Sequence, residues 1–336
     1  MGPTTTAQSN NPTHDASKPE QKLWRLDDVP GKDKGLFATQ NIAPGTLILS
    51  DPAIVTTDCV LSAETMEKDI ARTLRHADKD SQRAFLALHN NYKGQKNVLS
   101  NIIRSNGYPL GPNSEIGGVF INVSRINHSC RPNAKHTWNS ILKKQTVYAL
   151  RNIAEGEELT LAYVMQGDSR ERQEILKDHF YFDCNCEVCS LPPKELKKSD
   201  ARILRAKALD DTIGNWDSAR YSLAKVIKNG RKLLSIYQEE GILDDRLPNL
   251  YWDIFQVAIM HGDLARASAF AKKYVDLKIM SEGPESTNAL ESMHCIQDPS
   301  KEKNYGETQD LKSRVGDIPK NLDEESFERW LWREDV

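Results

Sequence analysis

The rhythm of apolar and polar positions changes along the chain, and each change predicts a different element. Regular structure is expected to start near Trp24. Residues 46–50 (TLILS) and 53–56 (AIVT) are short apolar runs around Asp51-Pro52 and predict strands. The segment NIAPG at 41–45 predicts a turn, with Pro44 fixing φ and Gly45 able to take φ > 0. A near copy, NIAEG at 152–156, precedes ELTLAYV, so the same turn chemistry is expected to enter a strand twice. Between 63 and 92 the spacing becomes helical: Ile70 with Leu74, and Phe85 with Leu88, predict one or two helices. Residues 106–118 (NGYPLGPNSEIGG) are turn-rich, and VFINVSRINHSC after them mixes strand and loop. Residues 134–138 and 146–151 predict a hairpin closed by the loop Asn139–Lys144. Short strands with many turns, interrupted by a helical insert, predict a β-rich core.

The pattern shifts after Ser190. Residues 191–200 (LPPKELKKSD) read as a linker, and 201–279 are helical without strand alternation. Leu250, Ile254, Val257 and Ala258 share one face, His261-Gly262-Asp263 is a turn, and Ala265, Ala269, Phe270 and Tyr274 continue beyond it. This helical hairpin is loosely similar to a tetratricopeptide unit, and an ordinary bundle hairpin fits equally well. Such a region could offer a surface to a peptide or protein partner. Residues 281–326 are polar and loop-like, but Phe327, Trp330 and Leu331 fit one face of a final helix turn docked on the body. Residues 1–21 read as a disordered tail.

Composition narrows the function. The 336 residues allow one large domain or two ordinary ones. Hydrophobic residues make up 38%, enough for a sizeable core, while a mean hydropathy of −0.60 leaves room for tails and linkers. The net charge of −3 lacks the basic excess that phosphate contacts need, so direct nucleic-acid binding is not expected. No apolar run reaches the length of a membrane span. Residues 1–20 also lack the charged start and apolar stretch of a signal peptide. An intracellular setting, cytoplasm or nucleus or both, is therefore expected, with reduced cysteines.

Six cysteines are present, and Cys184, Cys186 and Cys189 form CxCxxC. Such a turn can bring three thiolates round one zinc ion, which needs a fourth ligand. Spacing leaves Cys130, Cys59, Cys295 and His179 open for that place. A closed four-thiolate site would be structural, because no position remains for substrate. Asn127 and His128 could be no more than a hydrogen-bonded turn. A nucleophilic role for Ser124 or Ser129 is disfavoured, since no glycine-flanked elbow surrounds either serine.

RINHSCRPN at 125–133, EGEELTLAY at 155–163 and CNCEVC at 184–189 occur in that order. Together they resemble SET-domain protein lysine methyltransferases, most closely the SMYD type and its fungal relatives, over roughly residues 22–190. The resemblance implies an α+β fold. Its parts are a β-rich, pseudo-knotted SET core, a helical insert at about 60–115 and a zinc-bound post-SET segment at 180–190. An α-helical C-terminal region at 191–336 follows. It implies S-adenosylmethionine as cofactor and a protein substrate presenting a lysine. Asn127 and His128 would then hold the cofactor, Tyr163 would be catalytic, and Cys130 would join Cys184, Cys186 and Cys189 on one structural zinc. Phe180 and Phe182 lie where the family places an aromatic residue near the cofactor and the lysine channel.

Two departures stand out. The family opens with a glycine-x-glycine loop, and in KDKGLFA at 32–38 Asp33 replaces the first glycine, leaving contact to Lys34 and Gly35. Residues 57–118 contain only Cys59, so the MYND zinc finger of SMYD proteins and its partner binding are not expected. Asp33 therefore keeps a second reading in view, a SET-fold interaction module without activity. Methylation of a small-molecule amine is a third.

Overall fold

The computed structural model describes residues 22–308 and 311–334. The tail expected at 1–21 lies outside the described residues. The chain opens with a hairpin of β1 (Trp24–Val29) and β2 (Asp33–Ala38), antiparallel with Val29 opposite Asp33. β3 (Leu47–Asp51) and β4 (Val55–Thr56) follow, and then three helices: α1 (Met66–Leu74), α2 (Lys79–Leu86) and α3 (Val98–Asn106). The helical spacing of Ile70, Leu74 and Phe85 arises because these side chains bury against Val55 and Val119 in a small cluster of their own. Asp78 caps α2 by accepting from the amides of Asp80 and Ser81, so the turn before it ends where its sequence can satisfy those groups.

β6 (Gly117–Val119) pairs with both β4 and β5 (Gly107–Pro109) in a three-stranded sheet of order β4-β6-β5. β7 (Asn127–His128) comes next, followed by the hairpin of β8 (Ala134–Asn139) and β9 (Lys144–Ala149). β9 also pairs with β3, giving the order β3-β9-β8. The expected strand ELTLAYV contributes only β10 (Thr160–Leu161) to a ladder, because beyond it the Tyr163 amide bonds a side chain instead of a neighbouring strand. Strands here are short and sheets small, so the region is a mixed assembly of strands and helices.

The two near copies, NIAPG and NIAEG, do more than enter strands: they pair with each other. Ile42 and Ile153 exchange both backbone hydrogen bonds, at 2.8 and 2.9 Å. Gly45 and Gly156 take φ of 78° and 80°, the left-handed turn conformation that glycine adopts without a Cβ clash. Ile42, Ile153, Leu36, Phe120 and Leu161 fill a common apolar cluster behind the site.

α4 (Ser169–Phe180) leads into the cysteine segment. The linker expected at 191–200 is instead the first part of α5 (Pro193–Ile213). Pro193 at the first helical turn lacks only an amide that has no partner there, and the Lys-Glu-Leu-Lys run behind it favours helix. α6 (Trp216–Tyr221), α7 (Leu223–Glu240), α8 (Arg246–Met260) and α9 (Leu264–Glu282) continue the helical region. Its single expected hairpin, α8 and α9, is thus one part of a five-helix run. Short helices α10 (Thr287–Ser292) and α11 (His294–Gln297) interrupt the segment expected to be loop. α12 (Glu324–Leu331) closes the described chain, and Leu331 and Trp332 are buried in the same apolar cluster as Ile254 and Phe270.

The helical region covers the β8–β9 hairpin through α9. Lys135 of β8 reaches Asp245 at 2.5 Å and Glu282 at 2.8 Å, while Lys278 meets the same carboxylates at 2.7 and 3.0 Å. Burial alone would raise the Glu282 carboxyl, but the fields of Lys135 and Lys278 outweigh it and bring it down to about 2. Gly283 follows α9 with φ of 90°, and a Cβ there would lie 2.1 Å from the Tyr148 hydroxyl of β9. That close approach seats the end of α9 on the sheet.

Candidate active site

Asn127 and His128 are placed by a parallel ladder: Thr160 lies opposite Asn127 and Leu161 opposite His128. Ser129 extends the ladder by donating to the Leu161 carbonyl at 3.0 Å. Asn133, 1% exposed, stitches the same strands. Its Nδ2 donates to the Glu158 carbonyl at 2.8 Å, and its Oδ1 accepts from the Thr160 amide at 2.8 Å.

Two residues past the ladder, the Tyr163 amide donates to His128 Nδ1 at 2.9 Å. With Nδ1 an acceptor, the imidazole proton sits on Nε2, which faces Cys130 Sγ at 3.4 Å. The Tyr163 hydroxyl donates to the Ile126 carbonyl at 2.7 Å. Burial and then the Glu158 carboxylate push its ionisation well above the ordinary phenol range, so it stays a neutral hydroxyl.

Phe180 ends α4, and Tyr181 after it takes a left-handed φ of 62°. This reversal brings Phe180 and Phe182 to the same side. The Phe180 ring lies 5.0 Å from Tyr163, and Phe182 lies 6.2 Å from His128 and 6.4 Å from Tyr163. Four rings therefore meet at the end of β10.

The glycine-loop residues reach the site by main chain. Asn127 Nδ2 donates to the Lys34 carbonyl at 3.0 Å and to Glu158 at 2.8 Å. The Lys34 ammonium is instead paired with Asp28 at 2.6 Å across the hairpin. A Cβ on Gly35 would come within 2.9 Å of Asn127 Nδ2 and 2.7 Å of Val29, so only glycine lets the loop lie against Asn127. Asp33 has φ of 68°. Glycine adopts that conformation freely, and aspartate is among the few other residues that tolerate it, so the turn survives the replacement.

The structure gathers Cys130, Cys184, Cys186 and Cys189, with sulfurs all within 4.8 Å of one another. Cys59 and Cys295 lie elsewhere: Cys59 packs under the helical insert and Cys295 against α9. Tetrahedral zinc with thiolates at about 2.3 Å requires sulfurs about 3.8 Å apart. Cys130 and Cys189 are separated by 3.6 Å, so the donor set fits such an ion. Hydrogen bonds from Cys184, Cys186 and Cys189 hold Cys130 well below the ordinary thiol range.

Several residues here carried no signal of their own in the sequence. Glu158 sits inside EGEELTLAY, but nothing marked its bond to Asn127. Arg172, 5% exposed, donates Nε to Cys130 Sγ at 3.3 Å, and its Nη1 to the Gly167 carbonyl. Gln173 clamps Cys184 from both sides, accepting from its amide at 2.8 Å and donating to its carbonyl at 2.6 Å. Both come from α4, where a helical Arg-Gln pair looks like solvated surface until the cysteine loop folds over it.

A family model described as "SET domain" matches residues 33–164. The chain is 32% identical over 283 residues to histone-lysine N-methyltransferase set5 of Schizosaccharomyces pombe, covering 83% of this chain and 85% of that one. It is 37% identical over 209 residues to human histone-lysine N-methyltransferase SMYD1, covering 52% of this chain and 42% of the relative. With human histone-lysine N-methyltransferase SMYD3 the identity is 30%, covering 44% and 33%. The chain thus spans less than half the length of these SMYD relatives and most of the length of set5.

Proposed function

This chain belongs to the SET-domain family of lysine methyltransferases, and we propose from that premise how its own residues do the work. Its reaction is S-adenosylmethionine-dependent methylation of the side-chain amine of a protein lysine. The observation that carries the residue assignments is the parallel pairing of β7 with β10, which sets Asn127 and His128 beside Tyr163 and its ring neighbours.

The site's chemistry suits the cofactor. The half-buried rings of Phe180 and Phe182 beside Tyr163 suit a planar adenine and a sulfonium cation. The Lys34–Gly35 main chain, drawn close by Asn127, offers polar groups at short range. Asn127 and His128 hold the cofactor, Lys34 and Gly35 contact it by backbone, and Tyr163 is the catalytic residue. When bound, S-adenosylmethionine supplies an electrophilic methyl group.

The target lysine amine must attack in line and in its neutral form. Its ordinary pKa is about 10.4, and the neutral amine is favoured by desolvation between the rings and by a neighbouring positive charge. The Tyr163 hydroxyl donates its hydrogen bond to the Ile126 carbonyl, which leaves oxygen lone pairs to orient the amine and the electron-poor methyl. As a neutral hydroxyl it is not a strong base, and alignment supplies most of the acceleration. His128 is a positioning residue: Nδ1 fixes the Tyr163 backbone while Nε2 ties that backbone to Cys130.

Cys130, Cys184, Cys186 and Cys189 hold one structural zinc. The segment 126–130 threaded beside 160–163 is the pseudo-knot of the family fold. The substrate is a histone or another protein, met in the cytoplasm or nucleus, and the helical region is a surface for a protein partner. Among the described residues no helix is long and apolar enough to cross a membrane.

Titration calorimetry with S-adenosylmethionine, together with methyl transfer to a peptide array, tests this reading. The chain binds the cofactor, and Tyr163→Phe retains binding while turnover falls on the order of 10²-fold. No binding at high cofactor concentration would sink the residue assignments.

A further inference from the structure

His294, Cys295 and Glu302 meet far along the chain from the active site, on the segment that follows α10. His294 Nδ1 lies 2.8 Å from the Glu291 carbonyl, which can only accept, so Nδ1 carries a proton. On the neutral ring the Nε2 lone pair then points at Glu302 Oε1, 3.1 Å away. Two acceptors at that distance need a proton or a metal cation between them. A third side chain adds a soft donor beside them. Cys295 Sγ, on a fully buried residue, lies 3.6 Å from His294 Nε2 and 3.4 Å from Glu302 Oε1.

These separations are the edges of a coordination tetrahedron. Zinc bonds of about 2.3 Å to sulfur, 2.05 Å to imidazole and 2.0 Å to carboxylate give edges of about 3.6 Å (S to N), 3.5 Å (S to O) and 3.3 Å (N to O). The measured values are 3.6, 3.4 and 3.1 Å. The imidazole N–H on a backbone carbonyl is also the outer-shell arrangement that orients metal-bound histidines.

We propose that His294 Nε2, Cys295 Sγ and Glu302 Oε1 form a second metal site, for a zinc-class divalent cation completed by water. Sulfur and nitrogen donors select such an ion over magnesium or calcium, which take oxygen shells. Binding releases the Cys295 thiol proton to solvent. The side chains of His294 and Glu302 are 46% and 26% exposed, so an ion enters from solvent while the thiolate approaches from the core. The ion clamps residues 294–302 together beside α9, where the Ile296 carbonyl already accepts from Ser268 at 2.6 Å.

The test uses the full chain, stripped with chelator, dialysed against micromolar zinc and then analysed for metal by mass spectrometry. His294→Ala and Glu302→Gln, both at partly exposed positions, should each hold one zinc per chain less than the unsubstituted protein. Magnesium under the same conditions should not be retained. The doubly substituted Cys184→Ser, Cys186→Ser chain should keep this ion, which separates it from the active-site cluster. Equal zinc in the unsubstituted, His294→Ala and Glu302→Gln chains would overturn the proposal, whatever the state of the four-cysteine site.

Discussion

The two halves of the molecule are held together by different means. In residues 22–190 the apolar cluster around Leu36, Phe120 and Ile153 is supplemented at the site by single polar links between distant segments: Asn127 to Lys34 and Glu158, Asn133 to Glu157, Tyr163 to His128, Cys130 to Arg172. In the helical half Ile254, Phe255, Phe270 and Leu331 are fully buried in one continuous apolar cluster. An apolar core tolerates exchange of shape for shape, whereas a polar link has few chemical substitutes. Positional accuracy at the rings of Tyr163, Phe180 and Phe182 is therefore bound up with chemistry in the first half, and global stability with volume in the second.

The largest effect that would break this contrast concerns the cysteine cluster. Cys184→Ser with Cys186→Ser should remove one zinc per chain and lower methyl transfer by roughly 10- to 100-fold, since Cys130 contacts His128 and the cysteine loop follows Phe182 directly. Unchanged metal content and turnover would mean that the cysteines do not support the site. Ile254→Ala, at a position 0% exposed, should cost about 2–5 kcal/mol and lower the melting temperature, while cofactor affinity of the folded chain stays the same. A change in that affinity would show that the helical core sets site geometry after all.

The ion cluster between the halves gives a pH signature. Glu282 is depressed from 4.5 to about 2, so its contribution is present above the unfolded value and is lost as pH falls from 4.5 towards 2. For a group so buried this amounts to about 3 kcal/mol. Glu282→Gln should flatten acid unfolding across that window, measured by circular dichroism; an unaltered acid limb would remove the link from the account. The smallest effect is expected at the loop. Asp33→Gly relieves a left-handed residue and should stabilise by no more than about 1 kcal/mol, read by chemical denaturation, without changing cofactor affinity.

The residues of the candidate site were picked out by the resemblance carried in RINHSCRPN, EGEELTLAY and CNCEVC. Taken singly, the Asn-His pair and the tyrosine have ordinary structural readings, because a turn and a strand use the same residue types. The stretch 191–200, expected as a linker, is helical from Pro193: Pro193 and its lysines suit a loop and a first helical turn equally, and burial of Ser199 and Ala206 selects the helix. Arg172 and Gln173 were illegible because their meaning depends on what folds over α4.

By itself the sequence determined the residue types available for chemistry, the helical periodicity beyond Ser190 and the turns at Gly45 and Gly156. These are local properties, set by side-chain chemistry and by the φ that each residue tolerates. Only the tertiary structure decided that the two turn copies pair through Ile42 and Ile153, and that Asn127 is braced by Glu158. It brought Cys130, which spacing left open and the resemblance implied, to the cluster in place of Cys59 and Cys295, and seated α9 on β9 at Gly283. Such contacts join residues far apart along the chain, where no spacing rule reaches, and they form only when burial and hydrogen bonding are satisfied together.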